Sequence, residues 1–185
     1  MAKIKFDKEA LRERLNQRAK TVAGEITKSF FESVSDNMPV ENGHAHESFG
    51  SALQQIAELP EIIGTASQML SKGSGDAQAA SGGYGKVVES TNGIKVTVGT
   101  SVGFVKKLDD GDTITVGDGN GSTGWKEPGT QGQLYGRRYD HQQGFLMWND
   151  AGGKHFALSV TWGPLGFFEQ AAEAARNTAN QLGVH

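Results

Sequence analysis

Cysteine is absent from the 185-residue chain, which excludes disulfides, thiolate metal sites and a cysteine nucleophile while leaving the compartment open. Nor is there a run near the roughly 20 apolar residues that a bilayer-spanning helix needs. The opening Met1-Ala2-Lys3-Ile4-Lys5 carries no apolar core of the signal-peptide kind, so a soluble, unexported protein with no membrane partner is expected. An excess of positive charge is missing as well. Formal net charge is −3 and the pI about 5.9, so any contact with DNA would need a local patch. There is no Gly-x-Ser-x-Gly elbow, no His-Glu-x-x-His pattern and no phosphate loop ending in Lys-Ser/Thr. Together these absences point to a scaffold or partner binder that needs no cofactor, and not to an enzyme.

What is present divides into three parts. With 36% hydrophobic residues, the chain can bury a modest core in one domain. Residues 1–71 read as helical. Leu11, Leu15, Ala19, Val22, Ile26, Phe30 and Val34 recur at spacings of three and four, the stripe of a long amphipathic helix. Asp7 is its candidate N-cap, and Pro39 should end it near Asn37. Its length exceeds what a small domain needs, so part of the stripe is expected to meet a neighbouring subunit. A second helix is expected from about Ala45 to Leu59, and a third short one with Pro60 in its first turn, running through Ile62, Ile63 and Met69. Residues 72–85, rich in Gly, Ser and Ala, read as a flexible crossover loop.

Residues 86–162 read as antiparallel sheet. Lys86 to Ser90 and Ile94 to Gly99 flank Thr91-Asn92-Gly93, and Asn-Gly between β-rich runs is a strong hairpin signal because both turn positions need positive φ. Further strands are expected at Thr113 to Val116 and in a second hairpin of Phe145 to Trp148 with Lys154 to Thr161, separated from the first by a long glycine-rich loop over 117–144. The strand-like run His155 to Trp162 then breaks at Gly163-Pro164, and a C-terminal helix from about Phe167 to Gln181 is expected to pack on the sheet. The whole is an α+β domain. Phe167 and Phe168 are neighbours, about 100° apart on a helix, so one is expected to face the core and the other a second subunit.

Several groups can carry chemistry, and each has a plainer reading. His44 and His46 with Glu41 and Glu47 offer metal-ligand types, but a metal site needs three or four converging ligands, and a polar turn leading into the second helix is the favoured reading. His141 beside Asp140, and His155, are general-base types with no nucleophile spaced for them. Asp109, Asp110, Gly111 and Asp112, like Gly117 to Gly121, lack the carboxylate spacing of a calcium loop and read as solvated turns. Gly111 and Gly163 are expected where a side chain would clash. Lys106, Lys107, Arg137 and Arg138, interleaved with Trp125, Tyr135 and Tyr139, fit either nucleic-acid contact or a protein interface. No continuous basic stripe links them, which favours the interface.

Two segments bring a family into view. Ile94-Lys95-Val96-Thr97-Val98-Gly99-Thr100 followed by Gly103-Phe104-Val105-Lys106-Lys107-Leu108-Asp109-Asp110-Gly111 resembles the tail-completion and head-tail joining (neck) proteins of long-tailed bacteriophages. The closing Phe156 to Val160, Gly163-Pro164, Phe167-Phe168 and Ala171-Ala172 is similar to that family's last strand, proline turn and terminal helix. The matching positions are Gly99, Phe104, Leu108, Asp109, Gly111, Pro164 and Ala171. The resemblance implies a virion protein made in the host bacterial cytoplasm, a hexameric ring subunit between a portal-side connector and the tail tube or tail terminator protein. DNA would pass through the lumen unread. A minor capsid or terminator protein, and a nucleic-acid-binding module, are the alternatives.

Overall fold

The computed structural model describes residues 7–40, 43–90, 93–115, 131–134, 137–142, 145–150, 153–157 and 159–184; from 112 to 162 it describes the backbone alone. The first helix, α1 (Lys8–Asn37), starts where expected: the Asp7 carboxylate accepts the amides of Glu9 at 3.1 Å and Ala10 at 3.0 Å. It stops as Met38 turns extended (φ −78°, ψ 127°) ahead of Pro39. The stripe behaves in two halves. Val34 is buried and Phe30 packs on the core, whereas Leu11 and Leu15 are 42% and 62% exposed.

Helix α2 (His44–Gln54) begins at Gly43, whose φ of 74° favours glycine and whose Cβ would meet the Lys72–Ser74 backbone. It ends five residues before the expected Leu59. Tighter bonds, such as Ile56 N to the Leu53 carbonyl at 3.1 Å and Leu59 N to that of Ile56 at 3.0 Å, continue the chain as turns and keep Ile56 and Leu59 buried. Helix α3 (Ile62–Ser71) is capped by Glu61, so Pro60 lies outside its first turn and shapes the approach instead.

The expected flexible loop over 72–85 is largely built structure. Asp76 caps a short helix, α4 (Ala77–Ser81), by accepting the Gln78 amide at 2.8 Å, and the Gly75 amide donates to Glu47 Oε2 at 2.9 Å. Strand β1 (Gly83–Ser90) starts three residues before Lys86. Its glycines serve contact: a Cβ on Gly83 or Gly85 would strike the backbone carbonyls of Ser48 or Ala52 in α2. Gln55 covers the strand's outer edge, donating to the Gly83 carbonyl at 3.0 Å and accepting the Gly85 amide at 3.1 Å. Strand β2 (Gly93–Thr100) pairs antiparallel with β1, Val87 opposite Val96, as the hairpin signal implied.

Next come α5 (Phe104–Asp110), β3 (Asp112–Thr115), β4 (Gln131–Leu134), β5 (Arg137–Gln142), β6 (Phe145–Asp150), β7 (Gly153–Ala157), β8 (Ser159–Trp162) and α6 (Phe167–Gln181). Strands β4 to β7 form an antiparallel meander, while β8 pairs with β3, Asp112 opposite Trp162. Two expectations change here. The region 117–144 contains strands β4 and β5, with Gly132 opposite Tyr139, and the run Lys154 to Thr161 is shared between two sheets, up to Ala157 in β7 and from Ser159 in β8.

The molecule is α+β, with α6 packed along α1 and the Thr178 hydroxyl donating to Ser29 Oγ at 2.9 Å. The core gathers Phe31, Val34, Phe49, Leu53, Ile56, Leu59, Ile62, Met69, Val105, Phe167 and Ala171. Gly24, the lone glycine inside α1, is buried because the Pro60 carbonyl lies where its Cβ would stand. Alanine in a helix is ordinarily better than glycine by about 1 kcal/mol. Here the overpacking term of about 1–3 kcal/mol should reverse that gain. Gly24→Ala is therefore expected to lower stability by up to about 2 kcal/mol in urea unfolding; a rise in stability would show that the α1–Pro60 contact yields easily.

Candidate assembly surface

The two family-like segments meet in space. Helix α6 starts at Gly166, a left-handed residue (φ 61°) with no side-chain cap of its own. Asp109, at the end of α5, supplies that cap from far upstream: its Oδ1 accepts the Phe168 amide at 3.0 Å and its backbone carbonyl accepts the Gly166 amide at 3.2 Å. A carboxylate at a helix start satisfies an orphan donor and faces the positive end of the helix dipole. Gly111 then ends α5 with φ 83° and ψ 159°, a conformation open essentially to glycine. Gly163, by contrast, meets no described atom around its Cβ position, so the clash expected there is not found among the described residues. Asp109→Ala should remove about 0.5–2 kcal/mol and Asp109→Asn only part of it, since the amide oxygen still accepts; equal unfolding midpoints for all three proteins would count against the cap.

Beneath this joint lies an apolar hollow. It has a volume of about 530 Å³ and is lined by Phe30, Phe31, Phe49, Val98, Val105 and Phe168. A second hollow of about 390 Å³, which shares Phe30, Phe31 and Val98 with the first, lies between α1, the Ile94, Val96 and Val98 face of β2, and Ala175 of α6. Gly99 lies on the rim of the first. Phe167 is fully buried, and Phe168 also packs into this chain, stacked against Phe30 at 6.3 Å and edge-on to Phe49 at 6.1 Å. Of the pair, Phe167 takes the inward place, and Phe168 keeps part of its ring open to the hollow. Rings from α1 and α2 flank Phe168, and Asp109 of α5 holds its amide. Ala171 is buried one turn further on, and Pro164 is exposed.

The remaining candidates disperse. His44 Nε2 lies 3.3 Å from Asp76 Oδ2, His46 is buried in the core, Glu47 is bonded to Gly75, and Glu41 lies outside the described residues. Among the described residues no group of three His, Cys, Asp or Glu side chains can hold a metal ion. Lys106 pairs with Asp110, whose hydrogen bond and charge hold the lysine above its ordinary pKa. The three acids of the 109–112 turn thus have separate places: a cap, an ion pair and the start of β3. Arg137, Arg138, Tyr139 and His141 are positions of β5 and His155 of β7, with β6 between those strands. Trp125 and Tyr135 lie outside the described residues, as do the side chains of Phe104, Lys107 and Leu108. No described helix is long and apolar enough to cross a membrane.

No family model, curated protein or solved structure matches this chain. What sequence reasoning missed is the partnership between Asp109 and α6, whose only trace was an acidic turn before a glycine.

Proposed function

We propose that this chain is a non-enzymatic structural subunit of the head-tail junction of a long-tailed bacteriophage. In this reading it forms a ring, hexameric in the simplest case, between the portal-side connector and the tail tube or tail terminator protein. The observation that carries the reading is the Asp109 joint. The two stretches that resemble the neck proteins, far apart in the chain, close on one another through the Asp109–Phe168 bond, with Gly111 and Ala171 on either side. The cap fixes the start of the terminal helix against α5 and needs no reacting group, as suits a structural subunit. Closure of a head-to-tail contact generates a ring. A net charge of −3 suits a lumen through which DNA slides, because like charge repels phosphate where a basic wall would grip it.

The test is location and copy number. Antibody against the chain should label the neck of the parent virion in negative-stain micrographs, and native mass spectrometry should find a closed oligomer. Label confined to the capsid shell would favour the minor capsid alternative, and a protein absent from the particle would end the proposal.

A further inference from the structure

Two surfaces outside the hollow are matched in charge and shape. The first turns of α1 stand clear of the body: residues 7–9 and 11–18 are exposed, including Leu11 at 42% and Leu15 at 62%. At about 100° per residue, Lys8, Leu11, Arg14, Leu15 and Arg18 share one face roughly 120° wide, while Glu9 and Glu13 fall on the opposite side. The hairpin does not cover that face. It attaches elsewhere on α1, where Glu89 takes the Asn16 amide at 2.8 Å and the Lys20 ammonium at 2.6 Å. The arm is thus two exposed leucines among three cations.

The second surface is a hollow of about 450 Å³ between the middle of α1, the 57–61 turn and α3. Leu59, Pro60 and Ile63, the last 64% exposed, supply its apolar lining. Glu32, Glu58 and Glu61 rim it, against the single cation Lys28, which sits 3.5 Å from Glu61. The arm cannot fold back into it, since Leu15 and Glu32 belong to one continuous helix and lie roughly 26 Å apart along its axis at 1.5 Å per residue.

We propose that the basic, leucine-bearing arm of α1 docks in the acidic hollow of a second copy of this chain. Leu11 and Leu15 would lie on Ile63 and Pro60, with Arg14, Arg18 and Lys8 beside the three glutamates. One copy offers the arm and the next the hollow, so the contact is head-to-tail and repeats. This deepens the ring reading and rests on it only for closure into a ring.

Sedimentation velocity of the full chain, at about 50 mM and about 500 mM salt, tests it, because contacts between exposed charges are screened at the higher concentration. The wild type should associate with concentration and weaken at high salt. Leu15→Glu in the arm and Glu61→Lys at the hollow should each reduce association about tenfold or more. Mixed together they should form a dimer that stops at two copies, since one arm and one hollow remain intact. Glu61→Gly separates charge from fold: Glu61 is the one described non-glycine residue at positive φ (69°), so glycine suits its backbone while the carboxylate is lost. It should melt no lower than wild type and still associate less. Wild type and variants associating alike would overturn the arm–hollow contact and leave a ring built through other surfaces. A wild type that stays monomeric at both salts would overturn self-docking, while labelling of the virion would judge the neck reading separately.

Discussion

Phe167→Ala is expected to lower stability by about 3–5 kcal/mol, the range for deleting a fully buried aromatic side chain. The ring is 0% exposed and sits 4.7 Å from Phe168, which joins it to a cluster with Phe30, Phe31 and Phe49. Within that cluster Phe30 and Phe31 meet at 5.0 Å and Phe31 and Phe49 at 5.5 Å, spacings at which ring pairs add about 0.5–1.5 kcal/mol beyond burial. Removing the ring leaves a cavity within that buried cluster. Phe168→Ala should lose less, about 1–3 kcal/mol, because its ring is only partly buried and opens on the hollow. Urea unfolding with unchanged slope would measure both. Losses of equal size would mean that the hollow closes over Phe168 in solution. A loss below about 1 kcal/mol for Phe167 would contradict the packing altogether.

That contrast also marks where reading the sequence succeeded. Local rules were enough for α1, because Asp7 and Pro39 act within one turn of the ends they set. They were enough for the first hairpin, because the turn dictates the register that places Val87 opposite Val96. Glycine-rich segments failed for a physical reason. A missing Cβ permits mobility, but it also permits close approach, and at Gly83 and Gly85 the approach of α2 decides between them. The split between β7 and β8 was hidden because a strand's hydrophobic pattern does not say which sheet it joins. The Asp109 cap was hidden because donor and acceptor are 59 residues apart. The angle of about 100° between Phe167 and Phe168 was legible as unequal burial, complete for Phe167 and partial for Phe168.

Acid should unfold this protein earlier than its surface carboxylates alone would dictate, through His46. Its side chain is 0% exposed, and neither ring nitrogen meets a hydrogen-bond partner among the described residues. Burial is the main force that depresses its pKa below the ordinary 6.5; the nearby Ser35 carbonyl pulls the other way, and the Lys72 ammonium adds to the depression. That carbonyl is already engaged by Lys72 at 2.7 Å, and the ammonium also lies 3.6 Å from Asp36, so little remains to welcome a second cation. With the folded pKa below the unfolded one, the unfolded chain binds the extra proton. Stability is complete above about pH 6.5 and falls by up to about 1.4 kcal/mol per pH unit below it, until the folded ring also protonates. Melting temperatures taken between about pH 7 and pH 4.5 should show this slope in wild type and lose most of it in His46→Leu, which keeps the volume and cannot charge. The opposite result, a slope shared by both proteins, would assign acid sensitivity to the carboxylates. Since His46 lies on α2 and the Ser35 carbonyl beside it on α1, the first elements to part on acidification should be these two helices, which also form walls of the apolar hollow.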